Sequence, residues 1–103
     1  MPVSVWQDEN NLYVEAELPG VADKDVEITV QNGILTIRAS RAPEEGRTYL
    51  YNGRTFGRVE KSLVLPEAID SEKVEATLTG GVLSVRLPKR EEARPKRITL
   101  KNS

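Results

Sequence analysis

The sequence of 103 residues contains neither cysteine nor histidine, and aromatic residues make up only 5% of it. Without cysteine there are no disulfides, thiol nucleophiles or thiolate zinc ligands, and without histidine there is no imidazole for acid–base catalysis. These absences exclude most enzyme classes and predict a protein that is not an enzyme and binds no cofactor. They also mean that any hydrophobic core must be built from aliphatic side chains.

Long hydrophobic runs are missing as well. No apolar stretch approaches the length of about 18 residues that a membrane-spanning helix needs, and no basic segment followed by an apolar one opens the sequence as in a signal peptide. We therefore expect no membrane span and a cytoplasmic location, with which the absence of cysteine agrees. The length suits one small domain.

Charge is almost balanced but unevenly distributed. Residues 1–45 carry 9 acidic and 3 basic side chains, whereas residues 86–103 carry 2 acidic and 7 basic ones. A basic tail after an acidic body favours either nucleic acid or an acidic protein surface as its partner. The sign of the charge alone leaves both partners open.

Alternation of apolar and polar residues is the strongest pattern in the sequence. It covers residues 12–18 and 26–30, with a shorter stretch at Val3 and Val5, and predicts strands with one buried face. The second run is followed by Asn32-Gly33, a dipeptide typical of a two-residue hairpin turn. We therefore predict that the chain returns as a strand from Ile34 to Ser40.

The predicted turn sets the register of this first hairpin. It places Ile28 opposite Ile37 on the apolar face and Glu27 opposite Arg38 as an ion pair on the other. The same pattern returns 48 residues later, where residues 74–86 repeat the periodicity, the turn and the cross-strand Glu and Arg. A Leu-Pro dipeptide and a short acidic connection, long enough for one helical turn, precede each copy. Two hairpins with one apolar face each predict a two-layer β-sandwich.

The segment between the hairpins, Arg41 to Gly57, is polar and rich in glycine, yet Thr48-Tyr49-Leu50-Tyr51 within it has strand propensity. A strand on a protruding loop suits pairing with the edge of another molecule, and it equally suits an edge strand folded back on its own sheet. In the strand that follows, Lys61 shares the parity of Val59 and Leu63. A charged residue on an apolar parity is typical of a strand end or an interface.

The end of the chain carries two isolated aliphatic residues. Ile98 and Leu100 are the only large aliphatic residues after Leu87, and an extended chain presents both on one side. The preceding segment, Lys89 to Arg97, is charged and contains Pro95, so we expect an extended tether of nine residues that reaches about 30 Å at most. Such a tail suits docking on an edge strand; a final strand of its own domain and a frayed terminus are the alternatives.

Taken together, these elements resemble the α-crystallin domain of bacterial small heat shock proteins over essentially the whole sequence. The motifs that carry the resemblance, by their order and spacing, are Leu18-Pro19-Gly20-Val21, Asn32-Gly33-Ile34-Leu35, Leu65-Pro66, Ala76-Thr77-Leu78-Thr79-Gly80-Gly81-Val82-Leu83 and Ile98-Thr99-Leu100. The resemblance implies an all-β fold, an immunoglobulin-like two-sheet β-sandwich with a protruding strand-bearing loop. It implies a domain at residues 1–88 and a C-terminal extension at residues 89–103.

The resemblance also implies an ATP-independent holdase chaperone, which binds partly unfolded client proteins and prevents their aggregation. It implies a homodimer in which the loop strand of one subunit pairs with the first strand of its partner, and a higher oligomer in which the tail motif, Ile98 and Leu100, docks between two edge strands of a neighbouring dimer. The residues implied for the dimer interface are Val3, Val5, Trp6, Tyr49, Leu50, Tyr51, Asn52, Arg54 and Lys61. Those implied for the tail-docking groove are Val26, Ile28, Val30, Val74, Ala76 and Leu78.

The sequence departs from the family pattern at three places. Val59 and Lys61 stand where the family usually has Phe and Arg, and Gly53-Arg54 stands where it usually has Glu-Arg. Because lysine lacks the planar fork of arginine, a bidentate pair across the dimer is weaker here. The long apolar arm that the family places before this domain is also missing from the sequence.

Three other functions compete with this interpretation. An enzyme would have to use carboxylates such as Glu15 and Glu17, about 7 Å apart on one strand face, which a solvated outer face explains better. Nucleic-acid binding would use Tyr49 and Tyr51 for stacking and the cations Lys89, Arg90, Arg94, Lys96, Arg97 and Lys101; we expect no nucleic acid, because the body is acidic and the tail has no aromatics. A co-chaperone of related sandwich type would be a monomer without exchanged strand or tail motif.

Overall fold

The computed structural model describes residues 1–41 and 57–95 together with positions 48, 50, 98 and 100. Within these residues the strands are β1 (Val3–Gln7), β2 (Asn11–Glu17), β3 (Val26–Gln31), β4 (Ile34–Arg41), β5 (Gly57–Val64), β6 (Glu75–Thr79) and β7 (Val82–Pro88). Single 3-10 turns span Asp23–Asp25, Ser71–Lys73 and Glu91–Ala93. The first two confirm the helical turns predicted after each Leu-Pro. In this described part no helix is long and apolar enough to cross a membrane.

The strands form two antiparallel sheets, which confirms the predicted all-β sandwich. One sheet has the order β1-β2-β7-β6 and the other the order β3-β4-β5. Four strands are therefore edges, namely β1 and β6 of the first sheet and β3 and β5 of the second. The strand predicted on the loop lies outside the described residues except for Thr48 and Leu50, neither of which is in a strand.

The first hairpin has the predicted register, with Ile28 opposite Ile37 and Glu27 opposite Arg38. The predicted ion pair is wrong, however, because the Arg38 Nε donates instead to the Glu60 carboxylate at 3.1 Å. Arg38 lies on the central strand of its sheet and has an acidic residue opposite it on each side. The hairpin pattern reveals only one of these two neighbours.

The second hairpin has both the predicted register and the predicted ion pair, since Arg86 lies opposite Glu75 with 3.0 Å between their charged groups. The turn of this hairpin also contacts the residues that follow β2. The Leu18 N–H donates to the Gly81 carbonyl at 2.7 Å, and a Cβ on Gly81 would lie 3.2 Å from the Cα of Pro19. The turn therefore packs directly on the end of β2.

The core lies between the two sheets and is aliphatic. Alternate side chains of the central strands β2, β4 and β7 point inward, as a period of two requires, and the edge strands add half-buried residues around them. The buried residues are Leu12, Val14, Ala16, Leu18, Leu35, Ile37, Ala39, Ile69, Leu83, Val85 and Leu87. The edges of the sandwich are thus left to carry the candidate binding surfaces.

Candidate docking groove, tail motif and dimer edge

A cleft lined by both aliphatic and polar side chains opens between the edge strands of the two sheets, β3 and β6. It has a volume of about 460 Å³, and its lining comes from both strands and from the floor of the sandwich. Each of the two strands is paired on one side only within the described residues, so a row of backbone N–H and C=O groups is free beside the cleft. The lining residues are Asp23, Val26, Ile28, Ala76, Thr77, Leu78, Thr79 and Leu83.

The structure brings together four of the six residues predicted for the groove: Val26, Ile28, Ala76 and Leu78 all line this cleft. The other two do not. Val30 packs against the core near the end of β3, and Val74 precedes β6 and lines a separate cleft on the side of the β1–β2 turn. Sequence reasoning missed Leu83, the floor of the cleft, although the hairpin register places it directly opposite Leu78.

The two aliphatic residues of the tail do not pack on the sandwich. Ile98 is 85% exposed and Leu100 is 90% exposed. Isoleucine and leucine are among the residues most often buried in folded proteins, and full burial of such a side chain is worth about 1.5–3 kcal/mol. Both apolar side chains are therefore accessible for binding to another surface.

The beginning of the tail differs from the expected solvated tether. Lys89 is only 6% exposed and forms an isolated β-bridge with Ile69. The next residues form the 3-10 turn Glu91–Ala93 rather than an extended chain. The charged sequence does not predict this packing. A lysine can bury its hydrocarbon stem when its ammonium is hydrogen-bonded to an oxygen.

Three cations of this segment are bonded to carbonyl groups of their own chain. The Lys89 Nζ donates to the Asp8 carbonyl at 2.9 Å, the Arg90 Nε to the Ile69 carbonyl at 3.2 Å, and the Arg94 Nε to the Lys89 carbonyl at 2.9 Å. These were half of the cations considered for nucleic-acid binding. The bonds of Lys89 and Arg90 hold the chain against the sandwich, and that of Arg94 joins two residues of the same segment.

Three of the residues predicted for a dimer interface lie on β1, an edge of the four-stranded sheet. Val3 is half-buried, whereas Val5 and Trp6 are exposed. The Trp6 ring stacks on Tyr13 of β2, its partner in register, with 5.6 Å between the ring centroids and 15° between their planes. The stack places two aromatic rings at this edge, which alternation alone does not reveal.

The other predicted interface residues lie on or after the loop. Lys61 lies exposed in the middle of β5, opposite Ile37, and Leu50 is also exposed. The starts of β5 and β1 are on the same side of the sandwich, since Gly57 and Val59 line one cleft with Met1 and Pro2. Tyr49, Tyr51, Asn52 and Arg54 lie outside the described residues.

The turn between β1 and β2 is organised around one carboxylate. Asp8 accepts hydrogen bonds from the N–H groups of Asn10 and Asn11 at 2.8 and 2.7 Å and from the Tyr13 hydroxyl at 2.8 Å. These bonds, led by the one from Asn10, lower the pKa of Asp8, and the bond to Asp8 raises the pKa of Tyr13. The ionised carboxylate thereby holds the tyrosine on which Trp6 stacks.

The residues considered for catalysis do not form a site. Glu15 and Glu17 are exposed on the outer face of β2. Across the part of the chain that the structure describes, no group of three or more acidic side chains is placed to hold a metal ion. The described residues thus offer open strand edges, a cleft and exposed apolar side chains.

Comparisons with known proteins agree on one family. Residues 4–101 match the Hsp20/alpha crystallin family. The 18 kDa antigen 1 of Mycobacterium avium is 37% identical over 101 residues, which cover 97% of this chain and 69% of that protein. Heat shock protein 16.0 from Schizosaccharomyces pombe has a similar structure, with a TM-score of 0.83 at 30% identity and coverage of 97% and 96% of the two chains. A small heat-shock protein from Xylella fastidiosa gives a TM-score of 0.78 at 31% identity and covers 98% and 95%.

Proposed function

The chain belongs to the Hsp20/alpha crystallin family, and we propose that it is a holdase chaperone that binds partly unfolded proteins without ATP and prevents their aggregation. The observation that carries this proposal is a cleft with aliphatic side chains in its lining, which lies between two open strand edges in a chain that also exposes two aliphatic residues on its tail. Unfolded proteins offer free backbone groups and apolar side chains, which a strand edge beside a cleft with aliphatic lining residues binds. Such binding needs no cofactor or covalent step. The cytoplasm is the proposed compartment.

For assembly, we propose a homodimer built on the β1 edge. The open backbone of Val3–Gln7 accepts a strand from the loop of the partner, around Tyr49 to Asn52, and the exposed Val5 and Trp6 add side-chain contacts. Arg54 and Lys61 are the proposed polar members of this interface. Strand addition of this kind joins the subunits mainly through backbone hydrogen bonds.

We further propose that Ile98 and Leu100 dock in the cleft between β3 and β6 of a neighbouring dimer. Residues i and i+2 of an extended chain point to the same side, so both side chains enter the cleft while the tail backbone lies along an open strand edge. Complete burial of two such side chains is worth about 3–6 kcal/mol before the cost of ordering the tail. That range suits an oligomer whose subunits exchange.

The chaperone activity is tested by light scattering of a heat-labile client at several molar ratios of this protein, without ATP. We expect suppression of scattering that increases with the ratio. No suppression at any ratio, together with a monomeric mass, would instead favour a co-chaperone that acts through another chaperone. A dimer that fails to suppress scattering would refute the holdase function while keeping the assembly.

The dimer is tested with Leu50→Pro. Leu50 is exposed, so its replacement removes no core packing, whereas proline deletes a backbone donor and is poorly tolerated within a pairing strand. We expect a monomeric mass in multi-angle light scattering, with Leu50→Ala as a control that remains a dimer. A dimeric Leu50→Pro protein would contradict the exchange of this strand.

Tail docking is tested with Ile98→Gly combined with Leu100→Gly. We expect assembly to stop at the dimer, with little change in thermal stability because both side chains are exposed in the single chain. Val64→Gly is the matched control, since Val64 is 82% exposed but lies on β5 outside the cleft. A large fall in melting temperature for the tail variant would place the tail in its own core instead.

A further inference from the structure

Lys89 is the one charged side chain that is buried in the described part of the chain. Its ammonium donates to the carbonyl of Asp8 at 2.9 Å, and its backbone N–H donates to the carbonyl of Asn10 at 2.9 Å. Both acceptors belong to the turn between β1 and β2. Because burial of a charged group is costly unless it is hydrogen-bonded, the ammonium selects one position relative to this turn.

The residues on either side of Lys89 are tied to a second segment. The Pro88 carbonyl accepts from the Asp70 N–H at 2.9 Å, and the Arg90 N–H donates to the Ala68 carbonyl at 2.8 Å. Farther along, the Arg94 guanidinium returns to the Lys89 carbonyl at 2.9 Å. We name residues 89–94 the tail root, because they lie between the last strand and the exposed tail motif.

A fixed tail root shortens the length of chain between the last bonded residue and the tail motif. Full extension from Lys89 would allow Ile98 to reach about 30 Å, whereas full extension from Arg94 allows about 14 Å at most. The volume that the motif searches falls by roughly tenfold, and its effective concentration at a groove within reach rises in proportion. Grooves beyond that distance become inaccessible to it.

We propose that Lys89 is a positioning residue that fixes the point at which the tail leaves the sandwich and thereby determines which neighbouring groove the tail motif reaches. The proposal rests on the tail docking proposed above. The lysine does not touch the docked motif and acts through the tail root. Removal of the ammonium takes away the side-chain bond to the β1–β2 turn and leaves only the bonds of the neighbouring residues, which loosens the root. A loosened root allows the tail to enter several grooves, which replaces one assembly by a mixture.

The test compares Lys89→Met, which keeps an unbranched stem without the ammonium, with Lys73→Met, which alters an exposed lysine of the same sandwich. Since the chain contains no cysteine, spin labels attached to Glu15→Cys and Glu92→Cys report the distance between β2 and the tail root. Labelled chains are refolded with excess unlabelled chain, so that pulsed electron paramagnetic resonance measures distances within one chain. Native mass spectrometry gives the distribution of oligomers.

We expect one narrow distance distribution for the unaltered chain and for Lys73→Met, and a broad one for Lys89→Met. Hydrogen exchange of the Arg90 N–H should accelerate by about tenfold or more in Lys89→Met. The oligomer masses should spread, while the dimer persists. If Lys89→Met fails to fold, Arg94→Met opens the far end of the root without disturbing the buried side chain, and a partial broadening is then expected.

A narrow distance distribution in Lys89→Met would overturn the proposal, and so would a broad one accompanied by unchanged oligomer masses. Failure of tail docking itself has a different signature. In that case the variant with Ile98→Gly and Leu100→Gly would assemble like the unaltered chain. Lys89 could then not determine which groove the tail motif reaches. The spin-label distances would still show whether the ammonium fixes the tail root.

Discussion

Gly81, in the turn of the β6–β7 hairpin, is the position at which a single methyl group should be most informative. Its φ of +78° lies in the left-handed region, and a Cβ there would lie 3.2 Å from the Cα of Pro19. Gly33 is the corresponding residue of the β3–β4 hairpin, with a φ of +74° but no atom within 4 Å of such a Cβ. The two glycines thus have the same backbone conformation and differ in whether the turn meets a neighbour.

The comparison separates two costs. Alanine at either position takes a left-handed conformation, which costs about 1–2 kcal/mol. Only Gly81→Ala adds a contact with backbone atoms, and Pro19 has little freedom to withdraw because the Leu18 N–H is bonded to the Gly81 carbonyl at 2.7 Å. Overpacking of this kind costs a further 1–3 kcal/mol or so. We therefore expect Gly81→Ala to be less stable than Gly33→Ala by that amount.

Thermal unfolding followed by circular dichroism measures the difference, with both variants at one protein concentration because the melting temperature of an oligomer depends on it. A difference of 1 kcal/mol corresponds to roughly 4–8 °C in a domain of about this size. Equal melting temperatures for the two variants would refute the close approach of the turn to Pro19. A Gly81→Ala variant more stable than the unaltered chain would refute the left-handed conformation of Gly81 as well.

Two further predictions concern the core and the β1–β2 turn. Ile37→Ala should lower the free energy of unfolding by about 2–5 kcal/mol because Ile37 is fully buried. Val64→Ala, on the exposed edge, should change that free energy by less than about 0.5 kcal/mol. Equal losses of unfolding free energy for the two variants in urea titrations would contradict the assignment of Ile37 to the inward face of β4 and of Val64 to the outward face of β5. Because the pKa of Asp8 is lower in the folded chain, its contribution to stability is present above the ordinary aspartate pKa of 3.8 and is lost as the pH falls below that value. Stability should therefore decrease less steeply in acid for Asp8→Asn than for the unaltered chain, and parallel pH profiles would rule out this role of the carboxylate.

Much of the fold follows from the sequence because it depends on neighbours along the chain. A period of two assigns inward and outward residues, and Asn32-Gly33 adopts the positive φ values that a two-residue turn requires. The register of both hairpins and the ion pair of Glu75 with Arg86 were predictable for this reason. The resemblance to small heat shock proteins, carried by motifs at these same turns, was confirmed by the family match.

The site was only partly predictable. The resemblance implied one groove, and the structure brings Val26, Ile28, Ala76 and Leu78 to one cleft, but Val30 and Val74 are not part of its lining. The limits of the cleft depend on how two separate sheets are superposed. That relation is set by packing between layers, for which no local pattern exists.

The sequence by itself determined the strands, the turns, the register within each hairpin and the aliphatic composition of the core, since all of these arise between residues that are close along the chain. The tertiary structure decided that Arg38 pairs with Glu60, that Trp6 stacks on Tyr13 and that Lys89 is buried against the turn at Asp8. The physical reason is that a charged or aromatic side chain has several possible partners of suitable chemistry. Strand order and sheet packing select one of them by distance.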